Sequence, residues 1–192
     1  MKPIRPLLIA VATALSLGLA ACSRNDTAAS QAPPIAAAQA LDVLAAEGKG
    51  FTVGAAMAAR TVYVLFDPQC PHCGRLWEAA LPLQAKARFV WLPVAFISPK
   101  SLPQGAALLQ AAQPLEAMNA HESALLAGAG GMSASASVPD DIKAAIERNT
   151  QLLNRLGAES VPFIVTRSPA GQPVLHAGAM DTAALAALIG LP

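Results

Sequence analysis

Two cysteines separated by two residues, Cys70-Pro71-His72-Cys73, stand just behind an apolar run and open a helical pattern. The run, Thr61-Val62-Tyr63-Val64-Leu65-Phe66, is β-branched and aromatic, short and bounded, as a buried central strand is. Asp67-Pro68 ends it. Pro71 sits at an early helical position, where its missing N–H is not needed. The helix is expected to reach about Lys86, with Pro82 bending it or ending it early. A chain with this junction must hold a thiol pair where a strand ends and a helix begins.

That placement carries chemistry. Free backbone N–H groups and the positive end of the dipole favour a thiolate at a helix N-terminus. Cys70 is expected to be the exposed, attacking sulfur. Cys73, one turn inside, is the resolving sulfur that closes the Cys70–Cys73 redox disulfide. His72, protonated or donating a hydrogen bond, would stabilise the Cys70 thiolate further. The competing reading is half of a zinc knuckle, but only His121 and His176 remain as further ligands and neither has a partner at ligand spacing. No metal and no cofactor is therefore expected. A purely structural disulfide is disfavoured because so short a loop constrains the unfolded chain very little.

The rest of the pattern places this junction in an α/β fold. Leu41 to Glu47 reads as a short helix stopped by Gly48, Phe51 to Val53 as a short strand, and Arg88 to Val94 as another. Gln104–Ala112 and Leu115–Leu126 read as helices separated by Pro114, and the Gly/Ser/Ala-rich stretch Gly128–Val138 as a loop. Asp140 to Leu156 reads as a helix with Asp140 as N-cap and Gly157 just past its end. Phe163–Thr166 and Val174–Ala177 are strands flanking a turn, and Asp181 caps a last helix from Thr182 to Ile189. This is the order of a thioredoxin-like fold, a central mixed sheet flanked by helices, with a helical insertion at about 101–156.

Val161-Pro162, just before the third long strand, is the second clue. In such folds a cis proline faces the cysteines, and it and the residue before it form a bed for a substrate chain; Pro162 is expected to be cis. Asp67 is a candidate proton relay near Cys73, or equally a cap for the local turn. His121-Glu122 reads as a solvated helix face, and Trp77 and Trp91 as core.

The N-terminus reads as an export signal over residues 1–21: Lys2 and Arg5, then the apolar stretch Leu7–Leu19 and small residues. Leu19-Ala20-Ala21-Cys22 resembles the lipobox of bacterial lipoproteins, which implies lipidation at Cys22 and, with Ser23 following, favours the outer membrane facing the periplasm. The alternative is an ordinary cleavage site. Residues 22–49 are then a lipoprotein tether and linker, and 50–192 the catalytic domain. With Cys22 set aside, Cys70 and Cys73 are the only remaining pair of the three cysteines, so they read as working residues in an oxidising compartment. The net charge of +1 argues against nucleic-acid binding.

With these residues assembled, the chain resembles the DsbG/DsbC group of periplasmic thiol–disulfide interchange proteins. Phe66-Asp67-Pro68-Gln69-Cys70-Pro71-His72-Cys73 looks like that group's strand and motif. The stretch from Asn149 to Pro162, with Leu156-Gly157-Ala158, looks like its approach to the cis proline. The resemblance implies dithiol/disulfide exchange on cysteine-containing exported client proteins, with a membrane redox partner to reset the pair. In two respects the chain departs from the group. Only about 40 residues separate Cys22 from Thr61, too few for the separate domain that builds the family's dimers, so a monomer is expected. His72 and Val161 look more like the oxidase DsbA. A lipid-tethered binding module for unfolded chains and, less favoured, a metal carrier using Cys70, His72 and Cys73 remain the alternatives.

Overall fold

The computed structural model describes residues 32–192; the expected signal, Cys22 and the first part of the tether lie outside the described residues. Helix α1 spans Ala40–Glu47, and strand β1 Phe51–Gly54. The central unit is β2 (Thr61–Phe66), α2 (Pro71–Ala80) and β3 (Arg88–Pro93). Three helices follow: α3 (Ser101–Leu109), α4 (Pro114–Leu126) and α5 (Asp140–Arg155). The chain closes with β4 (Phe163–Arg167), β5 (Pro173–Ala177) and α6 (Thr182–Ile189).

The five strands form one mixed sheet in the order β1-β3-β2-β4-β5. Strand β2 lies parallel to β3 and antiparallel to β4, with Val64 opposite both Trp91 and Ile164. A strand with neighbours on both sides and helices on both faces is apolar throughout, and Val62 through Phe66 are all buried. The topology also fixes the site. Parallel β2 and β3 end at the same edge, and antiparallel β4 begins there, with Leu65 opposite Phe163. The ends of β2 and β3 and the start of β4 therefore converge, and Val94 N–H donates to the Phe66 carbonyl at 2.8 Å to close the first two together.

Helix α2 is held on three sides. Trp77 packs edge-on against Trp91 of β3, with ring centroids 5.0 Å apart, and its indole N–H donates to Asn119 of α4 at 2.8 Å. At its far end the Thr182 hydroxyl of α6 donates to the Ala79 carbonyl at 2.9 Å. Both tryptophans are core. The helix stops at Ala80 and passes into a 3-10 turn, Leu81–Leu83, where Pro82 cannot continue the α-helical bonding.

Several expectations need correction. The compact unit runs from Ala32, not from Gly50. Ile35, Ala40, Leu41 and Leu44 are apolar enough to bury, and Ile35 N–H donates to the Arg155 carbonyl at 2.8 Å, so residues 32–49 pack as part of the fold. Helix α3 starts three residues earlier than the pattern suggested, with Pro103 in its first turn. Asp140 is the first residue of α5 and makes no cap bond; Pro139 holds the cap position. The other end of α5 is as expected. Gly157, at φ +72°, lets its own N–H reach Asn154 and that of Ala158 reach Leu153. These are the two bonds of a Schellman turn. Asn149, buried in α5, ties Lys49 and the Pro93 carbonyl together through three hydrogen bonds.

Candidate active site

Cys70 is the N-cap of α2, with Pro71 in the first turn. Its backbone N–H donates to the Asp67 carbonyl at 2.9 Å, which completes the turn out of β2. Cys70 and Cys73 are unbridged thiols. Neither is freely exposed: Cys70 is 5% accessible and Cys73 is fully enclosed, which corrects the expectation of an open Cys70. The cover comes from the start of β4. The Val161–Pro162 peptide bond is cis, and the Cys70 sulfur lies 3.5 Å from the Val161 carbonyl oxygen, within hydrogen-bond reach when the thiol is protonated. The Val161 carbonyl thus meets the attacking sulfur directly, across a separation of 91 residues in the chain, and Pro162 follows it into β4.

The two sulfurs are electrostatically unequal. The Cys73 thiol donates to Cys70, and the backbone N–H groups of Cys73 and His72 add to this. Together they outweigh burial and the nearby Asp67 charge, and lower the Cys70 pKa to about 6. Burial first, then the Cys70 sulfur, pushes Cys73 well above the ordinary thiol value. At neutral pH the pair therefore carries one negative charge, on the outer sulfur, as an attacking and a resolving cysteine require.

His72 contributes through its backbone. Its ring is exposed and turned to Arg75, whose guanidinium lies 2.8 Å from Nδ1. Asp67 is fully committed. One oxygen accepts from Gln69 N–H at 2.9 Å and the Ser101 hydroxyl at 2.6 Å; the other accepts from Phe96 and Ile97 N–H, both at 3.0 Å. It anchors the loop after β3 to the loop after β2 and has no oxygen left to relay a proton.

His121 and Glu122 are buried, not solvated, and this is the largest departure from the sequence reading. Nε2 of His121 lies 2.7 Å from the Pro68 carbonyl, and Nδ1 accepts from Met132 N–H at 3.1 Å. Those partners fix a neutral ring with its proton on Nε2, and burial lowers its pKa. Gln104 donates to the carbonyls of Gly130 and Met132 and accepts from Gln69. The Gly/Ser/Ala-rich loop is therefore sewn to Pro68 and Gln69, immediately before Cys70. Glu122 lies against Gly74, and burial, with Cys70 and Glu78 adding, raises its pKa to about 8. The signal for these residues was present: Met118, His121 and Glu122 fall at i, i+3 and i+4, the spacing of a buried stripe. Among the described residues no group of three or more His, Cys, Asp or Glu side chains is arranged to hold a metal ion, and no helix is long and apolar enough to cross a membrane.

Residues 52–191 match the family model of the thioredoxin-like domain. The chain belongs to the thioredoxin-like family. Among curated relatives, the thiol:disulfide interchange protein DsbG of Pseudomonas aeruginosa is 31% identical over 139 residues, covering 71% of this chain and 54% of that protein. DsbG of Escherichia coli is 30% identical over 105 residues, covering 54% of this chain and 42% of that protein. The chain thus spans about half the length of the curated relatives it matches. Among solved structures, the catalytic domain of Proteus mirabilis ScsC superimposes with a TM-score of 0.64 at 18% identity, covering 79% of this chain and 96% of that one. The α-DsbA2 protein of Wolbachia pipientis gives 0.59 at 16% identity, covering 78% and 91%. These structural likenesses show the shared fold.

Proposed function

We propose that this thioredoxin-like chain is an exported thiol–disulfide oxidoreductase that exchanges disulfides with cysteine-containing client proteins in the periplasm. The observation that carries this reading is the sulfur of Cys70: its pKa is lowered to about 6 and it lies against Val161 at the start of β4. Cys70 attacks a client sulfur, a mixed disulfide forms, and Cys73 resolves it. With the pair oxidised, a client thiolate attacks Cys70 instead and leaves with the disulfide. The curated relatives are thiol:disulfide interchange proteins, which supports the same exchange chemistry. The signal-like first 21 residues and the lipobox-like Cys22 support export and a lipid anchor at the membrane surface.

The test is trapping. A Cys73→Ala chain expressed with its leader should accumulate mixed disulfides through Cys70, released by reductant. Absence of trapped clients, combined with Cys70 alkylation at the rate of an ordinary thiol, refutes the reading. A second reading, a holder of unfolded chains, draws on one observation: Phe96 and Ile97 are 50% and 46% exposed on the loop that Asp67 pins beside the motif. A Cys70→Ala/Cys73→Ala chain that still suppresses aggregation as well as the parent would favour it.

A further inference from the structure

The segment Gly128–Val138 carries no side chain larger than serine's apart from Met132 and Val138, so it has little with which to fold itself. The protein nevertheless commits two buried polar residues to holding it. His121 and Gln104 are 0% and 3% accessible. Such burial is tolerable only when the polar groups are hydrogen-bonded. Every side-chain bond these two make goes to this loop or to Pro68 and Gln69, just before Cys70. The loop must also be glycine where they meet it. Gly131 has φ +79°, and a Cβ there would lie 2.5 Å from the His121 ring. A polar loop is thus fixed rigidly one side chain away from the nucleophile.

What the loop encloses is a cavity of about 270 Å³, whose walls include Lys100, Gln104, Gly130, Gly131, Met132 and Ser133. Drug-sized ligands occupy about 300–1,000 Å³, so this one suits a single side chain better than a cofactor. Its polar groups are sorted by kind. The acceptors are used up: the Gly130 carbonyl accepts from Gln69 at 3.0 Å and Gln104 at 2.9 Å, and the Met132 carbonyl accepts from Gln104 at 2.8 Å. The donors are left over. The N–H groups of Gly130, Gly131 and Ser133 have no acceptor among the described residues. Lys100 is exposed and makes no ion pair among the described residues, and a Cβ on Gly130 would lie 3.4 Å from its Nζ. No Asp or Glu lines the cavity. Free N–H groups around a concavity, with a cation and no acid beside them, select an anion. The cation is also held in register with the motif. Lys100 N–H donates to the Ser98 hydroxyl at 3.1 Å, and the next residue, Ser101, donates to Asp67 at 2.6 Å.

We propose that this cavity is a specificity subsite for the carboxylate of an acidic side chain lying a few residues from the client's reactive cysteine, with Lys100 as its cation. This rests on the exchange activity proposed above. Gln69 joins the two places a client would touch: its side chain bonds the cavity wall, and the next residue is Cys70. The client sulfur meets Cys70 while the carboxylate pairs with the Lys100 ammonium and the free N–H groups of the loop. A basic residue at the same client position meets the ammonium and is disfavoured. Lys100 acts by binding and takes no part in the exchange between sulfurs.

The probe is a set of short neutral peptides, each with one cysteine activated as a mixed disulfide with thiopyridine, whose release is coloured. Glutamate, glutamine or lysine is placed in turn at each of the four positions on either side of the cysteine. With the reduced chain at about 0.15 M salt, where long-range attraction between exposed charges is largely screened, glutamate should speed release over glutamine at one or two positions. The gain should be about fivefold, that of a well-placed, partly exposed ion pair, and lysine there should slow release. Lys100→Gln should bring the glutamate peptide down to the glutamine rate. Lys100→Arg should keep most of the preference, and Lys100→Glu should turn it towards lysine. Equal rates for glutamate and glutamine at every position overturn the proposal, as does a preference that survives Lys100→Gln. A preference of the same size at all positions also overturns it, because a diffuse positive field would then be acting and not a subsite. If every peptide reacts only at the rate of an ordinary thiol, the exchange activity itself fails and the subsite falls with it.

Discussion

Removing the Cys73 sulfur should raise the pKa of Cys70, because the largest influence holding it near 6 is the hydrogen bond that the Cys73 thiol donates. A hydrogen bond to a charged group contributes about 1.5–3 kcal/mol. At about 1.4 kcal/mol per pKa unit, Cys73→Ala should therefore lift Cys70 by about one to two units. The thiolate fraction at pH 6 would fall from about one half to between about one tenth and one hundredth. Alkylation rate at a single pH is a poor readout, since a more basic thiolate is also intrinsically more reactive, with a Brønsted slope of about 0.4–0.5. The midpoint of the pH–rate curve, or of the thiolate's ultraviolet absorbance, is free of that compensation. Cys73→Ser keeps an O–H donor at the same place and should hold the midpoint near that of the parent. If the alanine variant also titrates near 6, the backbone N–H groups of His72 and Cys73 do the work and the proposed division of labour between the sulfurs is wrong.

The reduction potential of the Cys70–Cys73 couple should fall between about −270 mV (thioredoxin) and −120 mV (DsbA). The reason is that a thiolate pKa of about 6 lies between the roughly 7 and 3.5 of those proteins; equilibration with glutathione measures it, and a value outside those limits refutes the ordering. Glu122→Gln should stabilise the fold at alkaline pH in urea unfolding. The folded carboxyl binds its proton more tightly than the unfolded one, so the parent loses stability as pH rises from about 4.5 through 8 and the amide does not. Gly74→Ala should cost about 1–3 kcal/mol through overpacking against Glu122 and Leu126, offset by about 1 kcal/mol of helix propensity, so the net loss should be at most about 2 kcal/mol, read as a lower urea midpoint at unchanged slope. Asp67→Asn should destabilise by at least about 2 kcal/mol, because an amide nitrogen would face N–H donors, and hydrogen exchange should accelerate first at Phe96 and Ile97.

Much of the framework was legible because the chain states it locally. The β-branched run at Thr61–Phe66, the proline after Cys70, the Gly157 turn and the Asp181 cap each act over a few residues, and the last is seen directly in the bond from Ala184 N–H to Asp181. What was not legible is long-range. His121 and Glu122 were read as solvated because polar residues on a helix usually are; their spacing from Met118 marks a buried stripe, but nothing within α4 indicates that Pro68, Met132 and Gly74 are what closes over it. Asp67 was ambiguous for the same reason: its partners Phe96, Ile97 and Ser101 come from another loop. The glycine-rich segment read as a plain loop because its bonds to Gln104 and Gln69 leave no periodicity. The Cys70 enclosure likewise depends on a strand start 91 residues away.

The three-sided hold on α2 bears on which clients the site accepts. With Trp77 gripped along its flank and the Ala79 carbonyl tethered by Thr182, the helix has no pivot left, so the spacing between sulfur and proline is set before any encounter. Adaptation must come from the visitor. Slack chains that can drape over a fixed edge should react readily, whereas a disulfide locked in a taut, finished fold should pass by untouched.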